Sequence, residues 1–329
     1  MISFNDVTKV YGDTTVIENM NFTIEDGQFV IMLGPSGSGK TTLLRMVNQL
    51  ESITDGDILV NGKSVKKSNK IQMRRNIGYV IQSNGLFPNM NIEDNVMIVP
   101  GLLGWDRKKK RDRFNMLMDL AGLSPDEYRH RYPHELSGGQ QQRIGVVRAL
   151  AADPPIMLMD EPFGALDPII RNHLQDEFLQ IQRELKKTIL FVSHDVDEAV
   201  KMADKIALLK DGKMMQYDEP VKMLNKPKNS FVADFVGQDR VLKSMSLYSV
   251  KDLADALTLK APFESPDVKN INENLSLRVA ISMLLNQEAD QLIVEDEQGA
   301  NKGSLTLDLI ELFLHREVKE SCKGGTANG

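Results

Sequence analysis

The chain contains 329 residues, of which 41% are hydrophobic and 26% charged, with a formal net charge of −6. This length allows two domains with a sizeable core, while the acidic balance excludes the basic face that nucleic-acid binding requires. The single cysteine excludes an intrachain disulfide, and no apolar run approaches the roughly 18 residues of a membrane span or forms a signal peptide, so we expect a cytoplasmic chain.

The first part of the chain alternates strand and helix signals. Two strands are predicted around the turn Asp26-Gly27, and the second, Phe29–Leu33, is an uninterrupted apolar run typical of a buried strand. A helix is predicted from Lys40, with an apolar face formed by Leu43, Leu44, Val47 and Leu50. Alternating strands and helices predict an α/β sheet that binds its ligands at the carboxyl edge of the strands.

Turn and helix signals complete this first domain. Asn61-Gly62 and Asp211-Gly212 predict tight turns between strands. Residues 107–150 are predicted to be mostly helical, with breaks at 122–125 and near Pro133. We therefore expect an α/β domain over residues 1–238, with a helical subdomain at about 86–150.

A smaller, acidic α+β domain is predicted over residues 239–318. Its signals are helices at about 249–257 and 274–287, then a strand, a turn, a second strand and a last helix. Residues 319–329 are expected to form a disordered tail.

The stretch "GPSGSGKTT" matches the phosphate-binding pattern G-x-x-x-x-G-K-[ST] and lies between a predicted strand and a predicted helix. Its glycines let consecutive N–H groups point towards phosphate oxygens, and the helix start adds a favourable dipole. Lys40 should reach the outer phosphates of a nucleotide, and the Thr41 hydroxyl can bind Mg²⁺. The residues predicted to bind the nucleotide here are Gly34, Pro35, Ser36, Gly37, Ser38, Gly39, Lys40, Thr41 and Thr42.

Polar residues follow two further predicted strands. Asp160 and Glu161 end "IMLMDEP", where Asp160 can hold Mg²⁺ and Glu161 can orient or deprotonate the attacking water. The alternative is that the two acids only cap a strand. His194 ends "TILFVSH" and can contact the γ-phosphate or hold the water, although a lone histidine can also be purely structural.

The stretch "ELSGGQQQR" contains no nucleophile and no metal-ligand pair, yet it leads into a predicted helix. Ser137 is a candidate N-cap of that helix.

Together these motifs resemble those of the ATP-binding subunit of an ATP-binding-cassette (ABC) transporter. The matching pieces, in the family's order, are the phosphate loop, Gln82, "LSGGQ" at Leu136–Gln140, "IMLMDEP", "ALD" at Ala165–Asp167, and His194. The resemblance implies a P-loop ABC ATPase fold that uses ATP and Mg²⁺.

The resemblance also implies roles in a head-to-tail homodimer. The signature residues Ser137, Gly138, Gly139 and Gln140 would close over ATP bound to the partner subunit. Tyr11 would stack on adenine, and Asp167 would lie at the subunit interface. Gln82 would contact Mg²⁺ or the attacking water, which gives the catalytic set Glu161, His194 and Gln82 and the metal set Thr41, Gln82 and Asp160.

Longer stretches, such as "QSNGLFPNMNIEDN" and "FVGQDRVLKSMSL", are similar to the import ATPases for quaternary-amine osmoprotectants such as glycine betaine, carnitine and choline. That resemblance implies a separate membrane permease, a substrate-binding protein or domain, and a position on the cytoplasmic face of the membrane. Alternatives are another trimethylammonium cargo such as ergothioneine, a soluble ABC protein of DNA repair or translation, and a regulatory nucleotide sensor.

Two features leave alternatives open. The second domain resembles one cystathionine-β-synthase (CBS) motif where relatives often carry a pair, and "GSLTLDL" departs from the usual G-x-x-T-x-x-D pattern. It could therefore regulate the ATPase or serve only dimerisation and packing. The basic run "RKKKRDR", residues 107–113, could meet anionic lipid or form a solvated helix face.

Overall fold

The computed structural model describes residues 1–81, 85–164, 166, 168–265, 267–286 and 288–323. The chain divides into two compact units, Met1–Tyr217 and Asp218–Gly329. This division comes earlier in the chain than the boundary predicted after residue 238.

The strands that begin in the first unit are β1 (Ile2–Tyr11), β2 (Thr14–Ile24), β3 (Phe29–Leu33), β4 (Asp55–Val60), β5 (Lys63–Ser64), β6 (Ile77–Val80), β7 (Ile156–Asp160), β8 (Thr188–Val192), β9 (Lys205–Lys210) and β10 (Lys213–Asp218). Its helices are α1 (Lys40–Val47), α2 (Lys70–Arg75), α3 (Ile92–Leu102), α4 (Arg107–Leu120), α5 (Pro125–Tyr128), α6 (Gly138–Leu150), α7 (Pro168–Leu185) and α8 (Val196–Met202), with a 3-10 turn at Pro133–Glu135.

The larger sheet has the strand order β10-β9-β3-β8-β7-β6, and a smaller sheet has the order β2-β1-β4-β5. Strand β3 pairs in parallel with β8 and β9, and β7 pairs in parallel with β8 and β6. Every residue of β3, β7 and β8 is buried, as expected for parallel strands covered on both faces. The carboxyl ends of these three strands therefore meet at one edge.

Helix α1 packs its apolar face into the main core of this unit. Leu43, Leu44 and Val47 are fully buried, as predicted. The prediction for Leu50 is wrong: its exposed fraction is 46%, because the helix ends at Val47 and the chain turns away.

The predicted helical region has the predicted interruptions. Helix α4 ends at Leu120, just before Gly122, which has a φ of 65°. Helix α5 begins at Pro125, where the missing N–H costs no helical hydrogen bond. Pro133 starts the short 3-10 turn that precedes α6.

The second unit contains the helices α9 (Pro220–Asn225), α10 (Ser230–Val236), α11 (Arg240–Ser244), α12 (Val250–Ala256), α13 (Leu277–Leu285) and α14 (Leu307–Lys323) and the strands β11 (Val268–Asn272), β12 (Gln291–Glu295) and β13 (Asn301–Leu305). The sheet order is β11-β12-β13, with β11 parallel and β13 antiparallel to β12.

Two features of the second unit differ from the sequence-based expectation. Strand β11 was not predicted, because only one of its five residues, Ile271, is buried and its sequence lacks an apolar alternation. Helix α14 continues to Lys323, inside the segment predicted as a disordered tail.

Candidate active site

The phosphate loop joins β3 to α1 at the carboxyl edge of the larger sheet, where the sequence predicts a nucleotide. Gly34 has a φ of 147°, and a Cβ atom added there would lie 2.2 Å from the Leu209 carbonyl oxygen. Gly39 has a φ of 96°, and an added Cβ would lie 2.3 Å from Cδ1 of Ile17. Only glycine fits both positions, so the backbone path of the loop is fixed by its neighbours.

The Lys40 ammonium group lies inside this loop. Its Nζ donates hydrogen bonds to the carbonyl oxygens of Gly34 at 2.7 Å and Pro35 at 2.9 Å. Burial lowers the pKa of Lys40, while the nearby carboxylates of Glu161 and Asp160 oppose that shift. The outer part of the loop, Pro35 to Gly37, is exposed, so a polyphosphate can approach from that side.

Thr41 and Asp160, two of the predicted metal ligands, contact each other directly. The Thr41 hydroxyl donates to Oδ1 of Asp160 at 2.9 Å. Burial raises the pKa of Asp160, and the Thr41 hydrogen bond and the charge of Arg45 oppose the rise. An aspartate oxygen beside a hydroxyl oxygen is a suitable donor set for Mg²⁺, which usually takes one or two carboxylates in addition to phosphate oxygens.

Arg45 and Tyr79 extend the site beyond the predicted residues. Arg45 lies one helical turn after Thr41 on α1, and its positive charge acts to lower the pKa of both Asp160 and Tyr79. Burial raises the pKa of Tyr79, with a further contribution from the charge of Asp160. The i,i+4 spacing of Thr41 and Arg45 is the only sequence signal that points to this cation.

Glu161 follows β7 in a left-handed backbone conformation, with a φ of 45°. Its N–H donates to the Val192 carbonyl at 3.0 Å, which ties the end of β7 to the end of β8. Nδ1 of His194 lies 3.5 Å from Oε2 of Glu161. A non-glycine residue in this conformation costs energy, and such residues are concentrated at functional sites.

The signature loop begins helix α6. The N–H of Gln140 donates to Oγ of Ser137 at 3.3 Å, and the N–H of Ser137 donates to Oε1 of Gln140 at 2.9 Å. The predicted N-cap is thus confirmed, as part of a reciprocal capping box. Ser137 and Gly138 are exposed, and Gly139 is half-buried.

The other predicted residues lie apart from this centre or outside the described ranges. Tyr11 ends β1 with an exposed fraction of 44%, and the Lys9 ammonium lies 4.4 Å from its ring centroid. Thr42 is half-buried on α1 next to Thr41. Gln82 and Asp167 lie outside the described residues.

The basic run at the start of α4 is partly used within the fold. Arg113 donates to the Leu150 carbonyl at 3.0 Å and pairs with Asp153 at 3.1 Å. Lys109 lies over the Trp105 ring, 3.8 Å from its centroid.

The chain is similar in sequence to known transport proteins over most of its length. The sequence profile described as "ABC transporter" matches residues 17–164. The "Osmoprotectant import ATP-binding protein OsmV" of Salmonella typhimurium is 44% identical, over 95% of this chain and 84% of that protein. The chain belongs to the ABC transporter family. The "Glycine betaine/carnitine/choline transport ATP-binding protein OpuCA" of Bacillus subtilis is 42% identical, over 94% of this chain and 80% of that protein.

A solved ABC transporter cassette shares the fold of part of this chain. The ATP-binding cassette MJ0796, described as a dimeric post-hydrolysis state bound to ADP and Pi, is 32% identical with a TM-score of 0.60. The match covers 67% of this chain and 98% of that protein. The predicted α/β ABC ATPase fold is confirmed, and the chain is an ATP-binding ATPase of the ABC type.

Within the described ranges, no helix combines the length and the apolar character that crossing a bilayer demands.

Proposed function

We propose that this chain is the ATP-hydrolysing subunit of a membrane ABC importer that takes up a quaternary-amine osmoprotectant of the glycine betaine, carnitine or choline type. The observation that carries the proposal is the similarity to osmoprotectant transport subunits over 94–95% of the chain. Such alignments must reach into the second unit, beyond the residues 17–164 that the general family profile matches.

The chemistry we propose is hydrolysis of ATP held in the phosphate loop. Backbone N–H groups within Gly34–Thr42 and the start of α1 bind the phosphates. The Lys40 ammonium gives up its hydrogen bonds to the loop carbonyls and donates to phosphate oxygens instead. Glu161 orients and deprotonates the attacking water as a general base. His194 contacts the γ-phosphate from the neighbouring strand end, where its imidazole lies close to Glu161.

Mg²⁺ would be held by Thr41 and Asp160, with Gln82 as a further ligand. When bound, the ion would neutralise charge on the phosphate oxygens. The hydrogen bond between the Thr41 hydroxyl and Asp160 supports this placement, because it brings two oxygen donors together at the mouth of the loop.

The active assembly we propose is a homodimer of this subunit on a separate permease. The signature residues Ser137–Gln140 would cover ATP bound to the partner subunit, and Asp167 would lie at that interface. The exposed Ser137 and Gly138 at the start of a 13-residue helix support this role, because N–H groups and the helix dipole favour a phosphate anion. Tyr11 would stack on adenine.

The permease, together with a substrate-binding protein or domain, would place the chain on the cytoplasmic face of the membrane. ATP binding would join the two subunits and hydrolysis would release them, which would move the permease between its two access states. The second unit would serve dimerisation or regulation.

The test is uptake of labelled betaine, carnitine, choline and ergothioneine by cells that carry the native chain, Glu161→Gln or Glu184→Gln, at low and high external salt. Glu184 is an exposed residue of α7, so its replacement is the matched control. We expect uptake of at least one of the first three compounds to stop in Glu161→Gln and to continue in Glu184→Gln.

Other outcomes would change the assignment. If only the uptake of ergothioneine depends on Glu161, the assigned cargo changes to another trimethylammonium compound. If no cargo depends on Glu161 and the chain does not co-purify with a permease under mild detergent, a soluble ABC function is favoured. If phosphate release continues undiminished in Glu161→Gln, the proposed catalytic role of Glu161 is refuted.

A further inference from the structure

A buried polar cluster lies behind the segment that carries His194. It consists of Arg171, Gln175, Ser193, Asp195 and Glu198, and we call it the support cluster. Gln175, Ser193 and Glu198 have exposed fractions of only 3%, 2% and 7%. None of them was singled out from the sequence, because the cluster forms only where α7 and α8 meet the end of β8.

Three hydrogen bonds of the support cluster lead to the Glu198 carboxylate. The N–H of Asp195 donates to Oγ of Ser193 at 3.0 Å, and the Ser193 hydroxyl in turn donates to Oε2 of Glu198. The other carboxylate oxygen of Glu198 accepts from Nε2 of Gln175 at 2.9 Å. Both residues that flank His194 are thereby fixed in one chain of bonds.

Asp195 is held on a second side by α7. Its Oδ2 lies 3.3 Å from Nη1 of Arg171, while Nη2 of Arg171 donates to the Leu166 carbonyl at 3.1 Å. Asp195 also caps α8 by accepting from the N–H groups of Asp197 and Glu198. Since Leu166 adjoins the proposed interface residue Asp167, one guanidinium connects that segment to the flank of His194.

The His194 side chain itself receives little packing, since its exposed fraction is 63%. Its position relative to Glu161 therefore depends on the backbone of Ser193–Asp195 rather than on neighbours of the imidazole. A buried carboxylate is a costly way to gain stability, because burial penalises the ionised form and raises the pKa of Glu198. A role in holding a catalytic side chain in place would account for keeping this unfavourable buried carboxylate.

We propose that Glu198 is a positioning residue for His194, acting through Ser193 and the Asp195 N–H to hold the imidazole beside Glu161. The inference rests on the catalytic role proposed for His194. A shift of a catalytic group by about 1 Å can cost on the order of 100-fold in rate. Loss of Glu198 should therefore lower kcat for ATP hydrolysis and leave the KM for ATP close to the native value, because the phosphate loop is not part of the cluster.

The experiment measures phosphate release by the full chain in a double-mutant cycle of Glu198→Ala and His194→Ala. We expect Glu198→Ala to lower kcat roughly 10- to 100-fold and to add nothing further in the His194→Ala background. Asp197→Ala, an exposed residue on the same helix, is the matched control and should leave kcat unchanged.

Two further variants distinguish a loss of His194 positioning from a failure to fold. Glu198→Gln should keep most of the turnover, because its oxygen can accept from Ser193 while its amide donates to a rotated Gln175 side chain. Ser193→Ala is a smaller change that breaks the same chain of bonds, and it should reproduce the loss of kcat even if Glu198→Ala does not fold.

The outcomes distinguish this inference from the function on which it rests. If His194→Ala leaves turnover unchanged, the catalytic role of His194 and the inference both fall. If His194→Ala slows turnover but Ser193→Ala and Glu198→Ala do not, or if their losses multiply with that of His194→Ala, only the inference falls.

Imidazole NMR signals test the position of His194 without relying on turnover, which matters where residual activity is low. The chain has five histidines, so imidazole NMR signals can be assigned with His194→Gln. We expect Ser193→Ala to shift or broaden the His194 signal and leave the other four in place. An unchanged His194 signal would overturn the inference.

Discussion

Nδ1 of His194 lies 3.5 Å from Oε2 of Glu161, although 33 positions separate the two residues in the chain. Neighbouring parallel strands create this proximity, because β7 and β8 end at the same edge of the sheet. The two side chains differ in surroundings, with exposed fractions of 63% for His194 and 23% for Glu161. One reacting phosphate could contact both.

Replacing Glu161 by glutamine should separate binding from hydrolysis. The glutamine keeps the size of the side chain but is not a base, so we expect kcat to fall by about 100-fold or more. ATP affinity should stay near the native value, since Lys40 and the loop are unchanged. Phosphate release and equilibrium ATP binding measure the two quantities, and a parallel loss of both would argue against a base at this position.

Asp160→Asn should make the nucleotide-free chain more stable at neutral pH while it removes activity. Burial raises the pKa of Asp160, so its ionised form destabilises the folded chain above that pKa. The cost disappears as the pH falls below the unfolded value of about 3.9, where both states hold the proton.

Thermal unfolding between about pH 3 and about pH 8, a range that includes the ordinary aspartate pKa of about 3.9, tests this, with Asp197→Asn as the exposed control. We expect Asp160→Asn to have a higher Tm than the native chain at neutral pH. This difference in Tm should become smaller as the pH falls. A lower Tm at neutral pH would mean that the bond from Thr41 outweighs the burial cost.

Lys40→Met should weaken ATP binding strongly. A hydrogen bond to a charged group contributes about 1.5–3 kcal/mol, which corresponds to roughly 10- to 150-fold in affinity. The carbonyls of Gly34 and Pro35 also lose their shared donor. Titration with a fluorescent ATP analogue measures the effect, and Lys63→Met, at an exposed position, should bind ATP like the native chain.

Gly34→Ala should destabilise the first unit by about 1–3 kcal/mol, the usual range for overpacking a tight site. The added Cβ would lie 2.2 Å from a backbone oxygen that cannot rotate away. Gly101→Ala is the control, because only its chain neighbours and its own helix backbone lie within 4 Å of the added Cβ, and a helical Gly→Ala change should stabilise the chain by up to about 1 kcal/mol. If Gly34→Ala and the native chain had the same unfolding midpoint in denaturant, the steric argument would be contradicted.

The sequence predicted the phosphate loop, the Asp160–Glu161 pair, His194 and the Ser137 cap, because each depends on local backbone geometry or on a strand end. It did not predict Arg45 beside Asp160 or the bonds around Glu198, since those contacts require knowing which helices pack together. Leu50 was assigned to the core because periodicity continues past a helix end that no glycine or proline marks. Strand β11 was missed because its pairing with β12, rather than its composition, makes it a strand.

The capping box at Ser137 limits the direction in which its hydroxyl can act. A serine hydroxyl has two acceptor lone pairs but a single hydrogen. One lone pair already receives the Gln140 N–H, while no residue in the described part of the chain accepts the hydrogen. The cap thus uses this hydroxyl as an acceptor for its own helix, and under the proposed role of the signature loop its hydrogen would be donated to a phosphate bound by the partner subunit.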